Sequence, residues 1–134
     1  MADNKKKLLL AAKKARKKAY APYSNFHVGS AVLGGNGKIY SGCNVENASF
    51  GLTSCAERNA VFAMIADGEK RIREVLVIGE SDGFLPPCGA CRQVLAEFAA
   101  PTVRVHMGNR KGELRTTTIG ELLPFVFHLK KVKP

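Results

Sequence analysis

Residues 72–107 read IREVLVIGESDGFLPPCGACRQVLAEFAAPTVRVHM. Ile72 to Ile78 is apolar and rich in β-branched side chains, the composition of a buried strand. Pro86 and Pro87 open a helix over 88–99, because proline's fixed φ suits a first helical turn and its missing N–H is not needed there. Pro101 stops that helix, and Thr102 to Met107 reads as the next strand. A strand, a helix and a second strand in this order call for a sheet with parallel members and a helix laid on its face.

Outward from this stretch the same punctuation continues. Val28 to Leu33 reads as a strand, and Gly34-Gly35-Asn36-Gly37 as a hairpin turn, since Asn-Gly tolerates positive φ. Lys38 to Asn44 is the returning strand. Thr53 or Ser54 caps a helix over 55–67 that Gly68 ends. Beyond Met107, Gly108 to Gly112 is a turn, Glu113 to Thr117 a fifth strand, and Thr118 to Leu123 a short helix punctuated by Pro124. Residues 5–19 form a helix with Leu8, Ala11 or Ala12, Ala15 and Ala19 on one face, ended by Pro22. The expectation is one α/β domain over residues 1–134, with no repeat, linker or second domain.

The net charge of +10 is unevenly placed. Residues 1–18 carry eight Lys or Arg against one Asp, and residues 130–134 add three Lys; together they account for the whole excess. The body between them is electrically balanced, so a basic nucleic-acid groove is not expected there. The basic N-terminal helix is expected to dock on the core, because it lacks the Trp and Phe anchors of a membrane-surface helix. No apolar run approaches the ~20 residues of a membrane span, and the N-terminus lacks the pattern of a secretory signal. A cytoplasmic setting follows as the expectation, and there four cysteines are free thiols or metal ligands rather than disulfides.

Two turns carry the chemistry: Cys55-Ala56-Glu57-Arg58 and Pro87-Cys88-Gly89-Ala90-Cys91-Arg92. Cys88 and Cys91 are spaced i, i+3, which sets them ~5–6 Å apart on one helix face. Cys55 heads the other helix and supplies a third thiolate. Three thiolates hold a zinc ion and leave its fourth position open to water, and Glu57 is close enough to move that water's proton. Both helix starts present free N–H groups that stabilise thiolates. Zinc with three thiolates is formally anionic, which weakens its acidity, so Arg58 is expected to donate hydrogen bonds to a thiolate. Arg92 is weighed as a second cation beside the motif. Cys43 is expected to be a small buried residue rather than a fourth ligand. His27, His106 and His128 show no ligand spacing and are expected to be structural or surface residues.

At these motifs the chain resembles the small homotetrameric cytidine deaminases. The match runs from Ala21-Pro22-Tyr23-Ser24-Asn25-Phe26 through Cys43-Asn44-Val45-Glu46-Asn47 and the two cysteine turns to Leu122-Leu123-Pro124-Phe125. The resemblance implies a three-layer α/β/α fold about a five-stranded mixed sheet, one Zn²⁺ per chain on Cys55, Cys88 and Cys91, and Glu57 as the proton shuttle. It implies that Asn44 and Glu46 hold the sugar hydroxyl, that Ala56 offers its backbone N–H to the base carbonyl, and that Phe26 packs against a free pyrimidine nucleoside. Phe127 would reach a neighbouring subunit's base in a homotetramer with sites at subunit interfaces. The activity implied is hydrolytic deamination of cytidine and deoxycytidine in pyrimidine salvage. Phe50 stands where many relatives carry Tyr, which removes one polar contact near the sugar. A deaminase of another cytosine compound shares the metal motif, but Asn44-Val45-Glu46-Asn47 favours nucleosides. An RNA-binding zinc module and a polynucleotide-editing deaminase fit less well, the latter because such enzymes usually carry His in place of Cys55.

Overall fold

The computed structural model of the protein describes residues 4–132. The first three residues of the basic N-terminal segment and the last two of the basic tail lie outside them. At the centre runs β3 (Ile72–Ile78), in which only Arg73 is exposed. Val75 faces one core and Leu76 and Ile78 the other, as the period of two in a strand dictates, while Ile72, across the register irregularity before Glu74, joins the core of Val75. β1 (Gly29–Gly34) and β2 (Ile39–Cys43) form the hairpin expected around Asn36-Gly37, with Gly37 at φ 83°. β4 (Ala99–Gly108) and β5 (Leu114–Thr118) complete a five-stranded sheet in the order β2-β1-β3-β4-β5. β3 and β4 are parallel and the other pairs antiparallel, so the sheet is mixed as expected.

Helices cover both faces, giving three layers. α1 (Asn4–Arg16) seats Leu8 and Ala12 against Ala31, Leu33, Leu76 and Ile78. It lies close because Gly29 has no side chain: a Cβ there would stand 1.9 Å from the Ala12 carbonyl oxygen. The basic helix is thus docked on the sheet, as its apolar stripe predicts. On the opposite face α2 (Ala56–Ala66), α3 (Gly89–Phe98) and the short α4 (Ile119–Leu122) enclose the second core, built on Val32, Val61, Met64, Val75, Leu95 and Val105.

Four local expectations are corrected. α1 ends at Arg16 rather than at residue 19, so Pro22 lies beyond a turn and does not itself stop the helix. α2 is capped by Cys55 rather than by Thr53 or Ser54, whose hydroxyl donates instead to Asn59 Oδ1 at 2.7 Å. Pro87 precedes the cap residue Cys88, so α3 begins at Gly89. Pro101 sits inside β4 rather than between helix and strand. There the register against β3 jumps from Ile72↔Ala99 to Glu74↔Arg104, and a proline is tolerated in such an irregularity because no ladder bond is required of it.

One polar cluster is buried within the sheet. His106 Nε2 lies 2.6 Å from Glu74 Oε2 and His106 Nδ1 2.7 Å from Thr116 Oγ1, while Arg104 reaches Glu74 at 3.6 Å. His106 is therefore structural, as expected.

Candidate functional site

The two cysteine turns meet because α2 and α3 pack side by side with both N-termini at the same end of the sheet. Cys55 is the N-cap of α2 and Cys88 the N-cap of α3, where its sulfur accepts the Cys91 N–H at 3.4 Å. Sulfur–sulfur distances are 3.9 Å for Cys55–Cys88 and 3.2 Å for Cys88–Cys91, and all three sulfurs lie within 4.8 Å of one another. Ligands ~2.3 Å from a tetrahedral zinc stand about 3.8 Å apart, so the triad fits that ion. Cys43 is half-buried on β2, outside this cluster and less enclosed than expected.

Electrostatics follow the geometry. Arg58 Nη2 donates to Cys55 Sγ at 3.1 Å, the contact expected of it. The Cys55 thiol is lowered to about 5, first by its hydrogen bond with Cys91 and then by Arg58. The partner Cys91 is pushed up by that same hydrogen bond and by burial. Arg58 Nε is buried and has no partner among the described residues. Arg92 does not join the cluster; it donates to the carbonyls of Pro87 at 2.8 Å and Leu122 at 3.1 Å, bracing the turn.

Beside the thiols opens a cavity of about 190 Å³ whose walls include Phe26, Asn44, Cys55, Ala56, Glu57 and Cys88. Glu57, in the first turn of α2, is only 5% exposed, and burial raises its carboxyl to about 7. Ala56 is fully buried at the start of the same helix. Asn44 has a structural task that the sequence did not reveal. Its Oδ1 accepts the Val28 N–H and its Nδ2 donates to the Phe26 carbonyl, both at 2.8 Å, so it grips the segment that carries Phe26.

Other expected residues fall outside this cavity. Glu46 lines a neighbouring one of about 340 Å³ with Tyr23, Ser24, Asn47, Phe50 and Thr53, and Thr53 borders both. Glu46 Oε1 accepts the N–H groups of Tyr23 at 2.9 Å and Ser24 at 3.1 Å, and Oε2 bonds the Ser24 hydroxyl; this last bond above all holds the carboxyl below its ordinary range. Phe127 is exposed and lines neither cavity. Val28, Thr53, Leu85 and Pro86 are walls that sequence reasoning missed. Only Pro86, adjacent to the cysteine turn, carried a signal.

Residues 2–107 match the family model described as the cytidine and deoxycytidylate deaminase zinc-binding region. The chain belongs to this family of hydrolytic deaminases. It is 46% identical over 121 residues to a cytidine deaminase of Sporosarcina psychrophila, covering 90% of this chain and 89% of that one. The crystal structure of cytidine deaminase from Burkholderia pseudomallei superposes with a TM-score of 0.88 at 50% identity, over 95% of this chain and all (100%) of that one. That of the Mycobacterium tuberculosis cytidine deaminase gives 0.82 at 38% identity, over 96% and 100%. The three-layer fold of the deaminase family is thus shared along nearly the whole chain.

Proposed function

We propose that this chain acts as one deaminase domain that hydrolyses cytidine and 2′-deoxycytidine to uridine and 2′-deoxyuridine, releasing ammonia, with one zinc ion held by Cys55, Cys88 and Cys91. The observation that carries the reading is a buried carboxyl, Glu57, in a cavity walled by two of those thiols. Zinc, when bound, supplies the Lewis acidity that makes a water molecule nucleophilic near neutral pH.

Glu57 moves the protons. A buried carboxyl, whose proton affinity burial raises, is suited both to accept and to return a proton. It takes one from the attacking water and places it on the ring nitrogen of the base; it then takes the second from the hydroxyl so added and delivers it to the amine, which leaves as ammonia as the C–N bond breaks and the carbonyl forms. Burial matters, because a solvated carboxylate at its ordinary 4.5 would be a weak base toward the attacking water. Arg58, hydrogen-bonded to Cys55, draws negative charge from that sulfur.

Binding follows from the remaining walls. The Ala56 N–H, at the open start of α2, faces no helical acceptor and suits the base carbonyl. Asn44 uses one amide hydrogen and one lone pair on the Phe26 segment, which leaves the others for a sugar hydroxyl. Glu46 likewise keeps a lone pair on Oε2. Phe26 packs on the nucleoside. Phe50 is 80% exposed and Phe127 65% exposed, surface that supports a homotetramer in which each covers a neighbouring site. A free nucleoside as substrate assigns the reaction to pyrimidine salvage in the cytoplasm. No helix among the described residues is long and apolar enough to cross a membrane.

The test pairs turnover with metal content. The protein should release ammonia from cytidine as absorbance moves toward that of uridine. Glu57→Gln should keep its zinc and lose turnover by about three or more orders of magnitude. A fully active Gln variant would refute the role of Glu57, and an inactive zinc-loaded wild type would refute the substrate.

A further inference from the structure

Phe26 and Val28 form one apolar wall of the pocket, and the segment 26–28 belongs to neither sheet nor helix. It follows Asn25, which sits at φ 56°, a left-handed turn that asparagine tolerates. What holds it is a set of discrete bonds. The Phe26 N–H donates to Ser24 Oγ at 3.0 Å, and the Asn44 amide takes the Phe26 carbonyl and the Val28 N–H. One N–H is left between them, that of His27, and it donates to Glu80 Oε1 at 2.7 Å. The same oxygen lies 2.9 Å from His27 Nδ1. The His27 N–H, its ring and Arg16 together hold the Glu80 carboxyl below its ordinary range.

Glu80 comes from the loop that follows β3, next to Gly79. Gly79 is itself clamped: its carbonyl accepts from Arg16 Nη1 of α1 at 2.6 Å. It is also the floor beneath the pocket wall, since a Cβ at Gly79 would stand 2.7 Å from Leu85 Cδ2 and 3.0 Å from Phe26 Cζ. The Phe26 ring and Leu85, both pocket walls, therefore rest on the peptide that Arg16 fixes, while Glu80 fixes the backbone above it.

We infer that Glu80 is a positioning residue for substrate binding, which holds the Phe26 wall of the pocket through its bond to the His27 N–H. It touches no reacting atom. Its effect falls on the packing of Phe26 against the base, an interaction made equally before and during the reaction, and so on KM rather than kcat. The inference rests on the proposed nucleoside site.

The experiment compares Glu80→Ala and Glu80→Gln with the wild type, each as the zinc-loaded full chain. Gln retains an oxygen to accept the His27 N–H; Ala does not. For cytidine, Glu80→Ala should raise KM about tenfold with kcat within about twofold, while Glu80→Gln stays within about threefold of wild type in both. The His27 amide should exchange with solvent about tenfold faster in the Ala variant than in the wild type or the Gln variant. An unchanged KM in Glu80→Ala, a loss carried by kcat, or equal impairment of the Ala and Gln variants overturns the inference. Unchanged exchange at His27 overturns it whatever the substrate proves to be. A wild type inert toward cytidine defeats the substrate assignment instead, and the exchange measurement still decides the role of Glu80.

Discussion

Glu57 should make the metal-free protein less stable as pH rises through neutrality, and Glu57→Gln should remove that penalty. Its carboxyl moves from an ordinary 4.5 to about 7 on folding, chiefly because burial disfavours the charged form. The folded state therefore holds the proton more tightly than the unfolded chain. Stability contributed this way is fully present below pH 4.5, declines through the interval between the two values and is gone above about 7. At 1.36 kcal/mol per pKa unit the whole excursion is about 3 kcal/mol. Gln has the shape and polarity of the protonated acid but no charge to bury, so it should match the wild type near pH 4.5 and exceed it by about 3 kcal/mol at pH 8.

The assay is urea denaturation of zinc-stripped protein in a reducing buffer at closely spaced pH values from 4.5 to 8, for both proteins. Their difference is the signal, because titrating groups remote from Glu57 are common to both and cancel, leaving Glu57 and its charge interaction with the neighbouring Cys55 and Cys91 thiols. Parallel stability curves across that range would refute the reasoning, since the carboxyl would then ionise in the folded protein as easily as in the unfolded one. A difference of the opposite sign would show that Glu57 is stabilised as an anion.

Three further outcomes are expected. Cys88→Ala should bind less than one zinc per chain by metal analysis and lose the zinc-dependent part of its thermal stability; a full complement of zinc would contradict the three-thiol centre. Glu74→Ala should cost about 3 kcal/mol by chemical denaturation, because it strands a buried His106 whose side chain is 1% exposed; a loss under about 0.5 kcal/mol would mean the cluster is relaxed by water. Phe127→Ala should weaken self-association in sedimentation and raise KM for cytidine together, since the ring is 65% exposed in the single chain; unchanged KM in a dissociated protein would remove it from any neighbouring site.

The parts of the site legible in the sequence are those whose chemistry and position are set locally. Cys88 and Cys91 share one helical turn, and Cys55, Glu57 and Arg58 share another, so each half of the cluster follows from helix geometry once the two starts are recognised. The β3-α3-β4 order was legible from its prolines, although Pro101 proved to belong to the strand, where a register irregularity spares it a ladder bond. The grip of Asn44 on Phe26 and Val28, and of Glu80 on His27, was not legible. Each joins segments 16 or more positions apart through a backbone group, and backbone groups leave no mark on the residue identity they bond. Glu46 belongs to the same class: the resemblance implied a sugar contact, and nothing in the sequence revealed that its carboxylate also accepts the N–H groups of Tyr23 and Ser24 and the Ser24 hydroxyl.

Why these distant segments meet at one place follows from the register of the sheet. Gly29 pairs with both Cys43 and Ile78, and Ile78 pairs with Gly108, so one row across four strands joins the start of β1 to the ends of β2, β3 and β4. Whatever leaves that row emerges at the same rim of the sheet. Phe26 and Val28 enter it before β1, Asn44 leaves it after β2, and Gly79, Glu80 and Leu85 leave it after β3. This is the crevice beyond the carboxyl ends of the parallel pair, where ligands of open α/β sheets bind. The helix starts that carry the cysteines open onto the same rim, because α2 follows the loop from β2 and α3 the loop from β3. A slip of one residue between β1 and β3 would turn Phe26 and Val28 away from the thiols and Gly29 away from α1 at once. Gly29 tolerates no side chain in its packing against Ala12. The contact that docks the basic helix therefore also guards the register on which the pocket depends.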